Sequence, residues 1–296
     1  MKKLFAVLLA FAMLLALSAC GEKEKEESDQ PQIASPVITR HANLLEKIKS
    51  EGVMTVTLSP DFSPMEFVDS AKSGQDRYVG FDVFLAKYIA DYIGVDLEIE
   101  PMGFDACQSA VYTGAVALSI SGYSWTQERE EKYELSDYYH AGDNAVEQVL
   151  LLREEDAEKF TRAVDFKGIR VGAQSASLQL SLVQEQLPDA ETVSVDDINT
   201  GVMQLITGDI DALAVEVGNA KMIMEANAGL ARCSWQFEID EKQDGYLILI
   251  GKGETELLDE VNKAIAAAKA DGMFNTWYNE AVELAKSESA VELTFS

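Results

Sequence analysis

The sequence predicts an α/β protein built on parallel sheets. Short β-branched runs alternate with amphipathic helices, and the order helix, glycine, short strand occurs twice, at Gly114 and at Gly208. Val53 to Leu58 is β-branched and is broken by Ser59-Pro60-Asp61, which marks a first strand and its turn. Phe81 to Ile93 carries apolar residues at 81, 84, 85, 88, 89, 92 and 93, the rhythm of a helix packed on one face, and Gly94 stops it. Val95 to Ile99 reads as a second strand, Phe104 to Tyr112 as a helix closed by Gly114, and Val116 to Ile120 as a third strand. A second set follows: strands at Glu147–Leu152, Gly168–Gly172 and Thr192–Val195, a helix starting near Ser177, a helix over Ile198–Ile206, and the strand Ala212–Val215. Tyr246–Ile250 is the last apolar strand, and Glu254–Leu284 is helical with a break at Gly272. Together these give two α/β halves with the chain crossing between them more than once.

The N-terminus has a different character. Met1, Lys2 and Lys3 precede an unbroken apolar run, Leu4–Leu17, of 14 residues. A helix that spans a bilayer needs ~20, so the run reads as a cleaved export signal over 1–19. Leu17-Ser18-Ala19-Cys20 has the form of a lipobox, with small residues before a cysteine that takes a diacylglycerol. Residues 20–39, rich in Glu, Lys, Ser and Pro with no apolar period, read as a lipid-anchored flexible tether. The expected location is the outer face of the cell membrane.

About 257 residues remain after residue 39, enough for one large domain or two lobes. With 24 basic against 51 acidic residues, net −27, the chain is a poor partner for nucleic acid, whose backbone demands Lys and Arg. An acidic surface instead keeps an exported protein soluble. With Cys20 lipidated, Cys107 and Cys233 remain, and both are expected to be free and buried. No Cys/His spacing suits zinc; neither a metal nor a cofactor is expected.

Five stretches in fixed order then resemble family 3 of the solute-binding proteins, the polar amino acid binders of ABC importers. They are Ser59-Pro60-Asp61-Phe62-Ser63-Pro64-Met65-Glu66-Phe67, Gly80-Phe81-Asp82-Val83, the loop from Ser121 to Arg129 with Leu135-Ser136-Asp137-Tyr138-Tyr139 after it, Lys167 to Ser177, and Gly208 to Glu216. The resemblance runs from about Leu44 to Ala281. It implies a two-lobed periplasmic-binding-protein-like fold (type II), each lobe a mostly parallel sheet flanked by helices. Lobe 1 is expected at 40–140 plus 244–296 and lobe 2 at 141–243, with ligand in the cleft between them. It further implies a monomer that hands an amino acid to a membrane permease by hinge closure.

The resemblance also assigns residues. Arg129 would hold the ligand carboxylate, since its planar fork binds a carboxylate bidentately and Lys cannot. Ser177, at a helix start, would add a hydroxyl. Glu216, where the family has Asp, would pair with the ligand ammonium; it follows directly on an apolar strand, a common place for a charge lining a cleft. Ser121, Gly122 and Ser124 would complete these contacts. Phe62 and Phe104 would sandwich the ligand side chain, and Gln174 would touch it. Two departures bear on specificity: Ser59 stands where many members carry an acid, and Ala117 where the family has Asp. A competing reading is an enzyme on the same fold, such as a dehydratase of cyclic acids, with His140 as its only near-neutral acid–base candidate; another is a sensory ligand-binding lobe.

Overall fold

A computed structural model describes residues 43–140 and 146–295, with side chains to 287. The export signal, Cys20 and the tether lie outside the described residues. The first half opens with α1 (Leu44–Glu51), β1 (Val53–Leu58), β2 (Asp61–Phe62), β3 (Glu66–Val68) and β4 (Tyr78–Val79). It continues through α2 (Phe81–Ile93), β5 (Asp96–Pro101), α3 (Phe104–Tyr112), β6 (Leu118–Tyr123), α4 (Gln127–Lys132) and β7 (Tyr133–Leu135). The second half holds β8 (Gln148–Arg153), β9 (Arg170–Gln174), α5 (Leu178–Gln186) and β10 (Glu191–Val195), then α6 (Ile198–Thr207), β11 (Ala212–Glu216), α7 (Val217–Ala226) and β12 (Leu230–Gln236). The chain then returns as β13 (Leu247–Gly251), α8 (Thr255–Ala270) and α9 (Met273–Phe295).

Two five-stranded sheets result, ordered β5-β1-β6-β13-β7 and β10-β9-β11-β8-β12. The short strands β2, β3 and β4 form a separate antiparallel ribbon. The expectation of mostly parallel sheets is corrected: each five-stranded sheet has two parallel and two antiparallel pairings. The cause is connectivity. Parallel neighbours need a crossover, commonly a helix. β13 instead comes back from the second sheet and enters beside the C-terminal end of β6, with Leu247 paired to Tyr123, so it must run antiparallel.

Packing follows pattern. In β8, Val149 and Leu151 pack with Leu205, Leu213 and Val215 on one face of the second sheet. Leu150 and Leu152 pack with Phe166, Val171 and Ala214 on the other. A strand covered on both faces needs a continuous apolar run, and this explains why it lacks alternation. In the first half, one face of α2 (Phe81, Leu85, Ile89) joins Met54, Val56, Ile120, Ile248, Val261 and Trp277. Cys107 and Cys233 are both free and buried.

Gly80 shows where backbone geometry leaves no choice. Its φ is +121°, and a Cβ there would lie 2.3 Å from the Met65 carbonyl oxygen. This close approach lets the Asp82 N–H donate to that carbonyl at 2.8 Å and sets α2 against the ribbon. Gly94, with φ +87° and nothing within 4 Å of its Cβ position, has only the left-handed preference to satisfy. Gly80→Ala is expected to destabilise by roughly 3 kcal/mol or more, and Gly94→Ala by about 1 kcal/mol, read from urea midpoints. Equal costs would show that the Met65 contact yields freely.

Candidate functional site

Seven of the nine ligand-site residues singled out from sequence line one cavity between the two sheets: Phe62, Phe104, Ser121, Gly122, Gln174, Ser177 and Glu216, joined by Gln179, Ile198, Ala214 and Val215. They arrive from the C-terminal ends of β6, β9 and β11 and from the starts of α3, α5 and α6, where open α/β sheets present their binding crevice. The space left is about 30 Å³. That is room for no more than a water or two.

The halves meet around it through direct bonds. Asp61 Oδ2 accepts from Gln174 Nε2 (3.0 Å) and from the Ile198 N–H (2.7 Å). Asn219 Nδ2 donates to the Ser63 carbonyl (2.9 Å). The Ala176 carbonyl accepts from Arg129 (3.0 Å) and from Gln108 (3.3 Å). Ala176 itself has φ +57°, an uncommon angle for a residue with a Cβ.

Arg129 and Ser124 do not line the cavity. Arg129 sits in α4, 3% exposed, and borders a neighbouring groove together with Ser177 and Ala176. Its Nε donates to Gln108 Oε1, one terminal nitrogen to the Ser124 carbonyl (2.7 Å) and the other to the Ala176 carbonyl. The guanidinium lies over the rings of Phe104 (5.6 Å) and Tyr123 (5.0 Å). Burial lowers its pKa to about 10, and among the described residues no carboxylate pairs with it.

Glu216 ends β11 and caps α7, its Oε2 accepting from the Gly218 and Asn219 N–H groups at 2.8 and 3.1 Å. Burial pushes its carboxyl up to about 7 against those bonds. Ser177 caps α5, its hydroxyl accepting from the Leu180 N–H. Gly122, at φ +55°, would place a Cβ 2.5 Å from the Phe62 ring, so the loop and the ring fit only without one.

Behind Ser121 and Gly122 lies a fully buried acid pair that the sequence reading did not assign to the site. The Ser121 hydroxyl donates to Glu66 Oε1 (2.5 Å), and the Gly122 N–H and Tyr139 hydroxyl donate to Asp82 Oδ2. Glu66 Oε2 and Asp82 Oδ1 have no hydrogen-bond partner among the described residues. Burial raises both groups, Glu66 well above the carboxylate range. Asp61 was likewise passed over as a site residue. The signal for all three was their presence in the motif stretches, but their partners lie far away in sequence. His140 is not in the cavity wall; its Nε2 meets the Asp244 carbonyl at 3.2 Å.

A two-lobed α/β fold with a crevice at the strand ends between its sheets is that of a solute-binding protein. Residues 54–282 match the family described as bacterial extracellular solute-binding proteins, family 3, and the chain belongs to it. It is similar to an amino acid ABC transporter substrate-binding protein, AbpA, from Streptococcus pneumoniae, solved bound to L-arginine: 32% identity over 81% of this chain and 98% of that one, TM-score 0.75. The arginine-binding extracellular protein ArtP of Bacillus subtilis is 27% identical over 92% of this chain and 94% of its own length. The L-cystine-binding protein TcyJ of Escherichia coli is 26% identical over 77% and 82%. Among the described residues no helix is long and apolar enough to cross a membrane.

The raised carboxyls set the sign of a pH effect. Glu66, Asp82 and Glu216 bind a proton more tightly folded than unfolded. Their contribution to stability is therefore present below the ordinary carboxylate range and is lost as pH rises through the raised values, about 7 for Asp82 and Glu216, by at most ~1.4 kcal/mol per unit per group. The ligand-free melting temperature should fall from pH 5 to pH 7.5. Asp82→Asn, which mimics the protonated partner, should flatten that fall; an unchanged slope would show that the pair does not carry it.

Proposed function

We propose that this chain captures an amino acid outside the cytoplasm and delivers it to an ABC import permease. The observation that supports this reading best is the convergence of seven residues assigned by the family resemblance on one cavity between the sheets. In this reading residues 40–140 plus 244–296 form one lobe and 141–243 the other, and the protein acts as a monomer tethered by a lipid on Cys20. The lobes hinge apart to admit ligand, because the closed space of about 30 Å³ is too small for an amino acid.

Each group has its own role. Arg129 takes the ligand carboxylate, which replaces the neutral Ala176 carbonyl on its terminal nitrogen. A charge-assisted pair is roughly twice as strong as a neutral one, so the exchange favours ligand. Ser177 and the N–H groups at the start of α5 add donors. Glu216 receives the ammonium on Oε1, its other oxygen staying with the α7 cap. Ser121, Gly122 and Ser124 complete the polar contacts, Phe62 and Phe104 clasp the side chain, and Gln174 touches its end. Relatives that bind arginine and cystine favour a polar or basic amino acid. One neighbour at 25% identity, an ancestral amino acid-binding protein, is a precursor of cyclohexadienyl dehydratase, so turnover of cyclic acids is the control.

Thermal unfolding against the twenty amino acids tests the reading. A ligand at a hundredfold excess over Kd adds about 2.7 kcal/mol and moves the midpoint by several degrees. Arg129→Ala should abolish the shift, and Arg129→Lys should weaken binding at least about tenfold, since the point charge cannot form the fork. No shift with any amino acid, or turnover without tight binding, would overturn the proposal. The affinity should also fall below pH 7. Glu216, at about 7 without ligand, must release its proton to meet the ammonium, so Kd rises up to about tenfold per unit between pH 7 and 5. Isothermal titration across pH should show this slope, and Glu216→Gln should bind weakly with little of it.

A further inference from the structure

We propose that Asp61 is a positioning residue that latches the closed cleft, holding bound solute without reading its side chain. The inference rests on the amino acid-binding role proposed above. Asp61 lies in β2, on the ribbon of the first half, and its two oxygens face different ways. Oδ1 accepts from the Ser59 hydroxyl of its own half at 2.7 Å. Oδ2 accepts from two donors of the other half, the Gln174 amide at the end of β9 and the backbone N–H of Ile198, the first residue of α6. The other bonds named above that cross the cleft end on backbone carbonyls, of Ala176 and Ser63. Asp61 therefore brings the anionic acceptor to that set, and hydrogen bonds to an ionised acceptor are the stronger kind.

Placement adds to this. The first turn of α6 has N–H groups unsatisfied within the helix and a partial positive charge, so a carboxylate facing it is favoured. Asp197 caps the same end through the Thr200 N–H, leaving the Ile198 N–H to Asp61. Both partners of Asp61 Oδ2, Gln174 and Ile198, line the cavity, and so does Phe62, the next residue in the chain. Phe62 also packs on the core of the second half. One carboxylate thus ties together the end of β9, the start of α6 and the ribbon that carries an aromatic wall. Ser59 makes this arrangement possible, because a hydroxyl at 59 donates to the carboxylate, where an acid would repel it. With its acceptor sites turned to these three donors, Asp61 acts on the lobes and not on the solute.

The latch holds the closed cleft in the free and the loaded protein alike, and because a loaded cleft must open to empty, its loss must show in release. In the full-length chain Asp61→Asn keeps the shape but turns an amide toward two donors. Stopped-flow binding should then show dissociation of every amino acid the wild type binds accelerated by a similar factor, about tenfold, with association unchanged. Hydrogen exchange of the ligand-free protein should be faster at the start of α6 and unchanged through β1 and β6, which reports the fold as intact. A loss confined to amino acids with cationic side chains would overturn the latch and make Asp61 a side-chain reader. Slower association with unaltered release, or unchanged exchange at α6, would also overturn it. If the wild type binds no amino acid, the proposed function fails by itself. The exchange comparison then decides the latch: faster exchange at α6 supports it and unchanged exchange overturns it.

Discussion

Four ionisable groups are taken out of water around the cleft, Glu66, Asp82, Arg129 and Glu216, and among the described residues none meets an oppositely charged side chain. An isolated buried charge is costly, and such a group must be neutralised, be wrapped in hydrogen bonds or await a partner. Each solution is used. Burial raises the carboxyls of Glu66 and Asp82 toward the neutral form. Arg129 collects three uncharged acceptors and two aromatic faces. Glu216 borrows the unsatisfied N–H groups of a helix start. Those bonds determine the architecture of the cleft. The acid pair ties the ribbon and α2 to Ser121 and Gly122, and Gly122 in turn leaves space for the Phe62 ring.

How far this was legible in sequence depends on how local the cause is. The helix α2 was read with its true bounds because seven apolar positions and a terminal glycine repeat one message. The strands β2, β3 and β4 were not read at all. At two or three residues they carry no period, and their pairing depends on Gly80 approaching Met65. Helix α7 was missed because Glu216 is both the end of a strand and the cap of a helix, with no loop to announce the change. The antiparallel entry of β13 was also out of reach, since nothing in Leu247–Gly251 says from which end it joins the sheet.

The site divides the same way. A residue whose own side chain forms the cavity wall, such as Phe62, could be picked by motif position. Groups defined by distant partners could not: the Asp61 bond to Ile198 spans 137 positions, and Ser121 lies 55 from Glu66. The two departures from the family pattern have different standing. Ser59 has a structural account, since its hydroxyl and N–H bind Asp61 and Ser121. Ala117 is buried in the core of the first half with Ile120; why this chain has Ala there, nothing in the structure explains.

The charges left without partners also bear on what the cleft accepts. Among the described residues Arg129 meets no carboxylate, and Glu216, whose carboxyl burial raises to about 7, meets no cationic side chain. On the proposed reading a solute with one charge answers one of them and leaves the other desolvated, a situation that opposes closure. An amino acid brings carboxylate and ammonium on one carbon and answers both, so closing the lobes over it exchanges two unfavourable burials for two charge-assisted pairs. Selection for the zwitterion then arises from Arg129 and Glu216 together, while the solute side chain meets rings and amides that discriminate more weakly. A site of this kind would admit several amino acids with graded affinity, in keeping with relatives that share the fold and bind arginine or cystine.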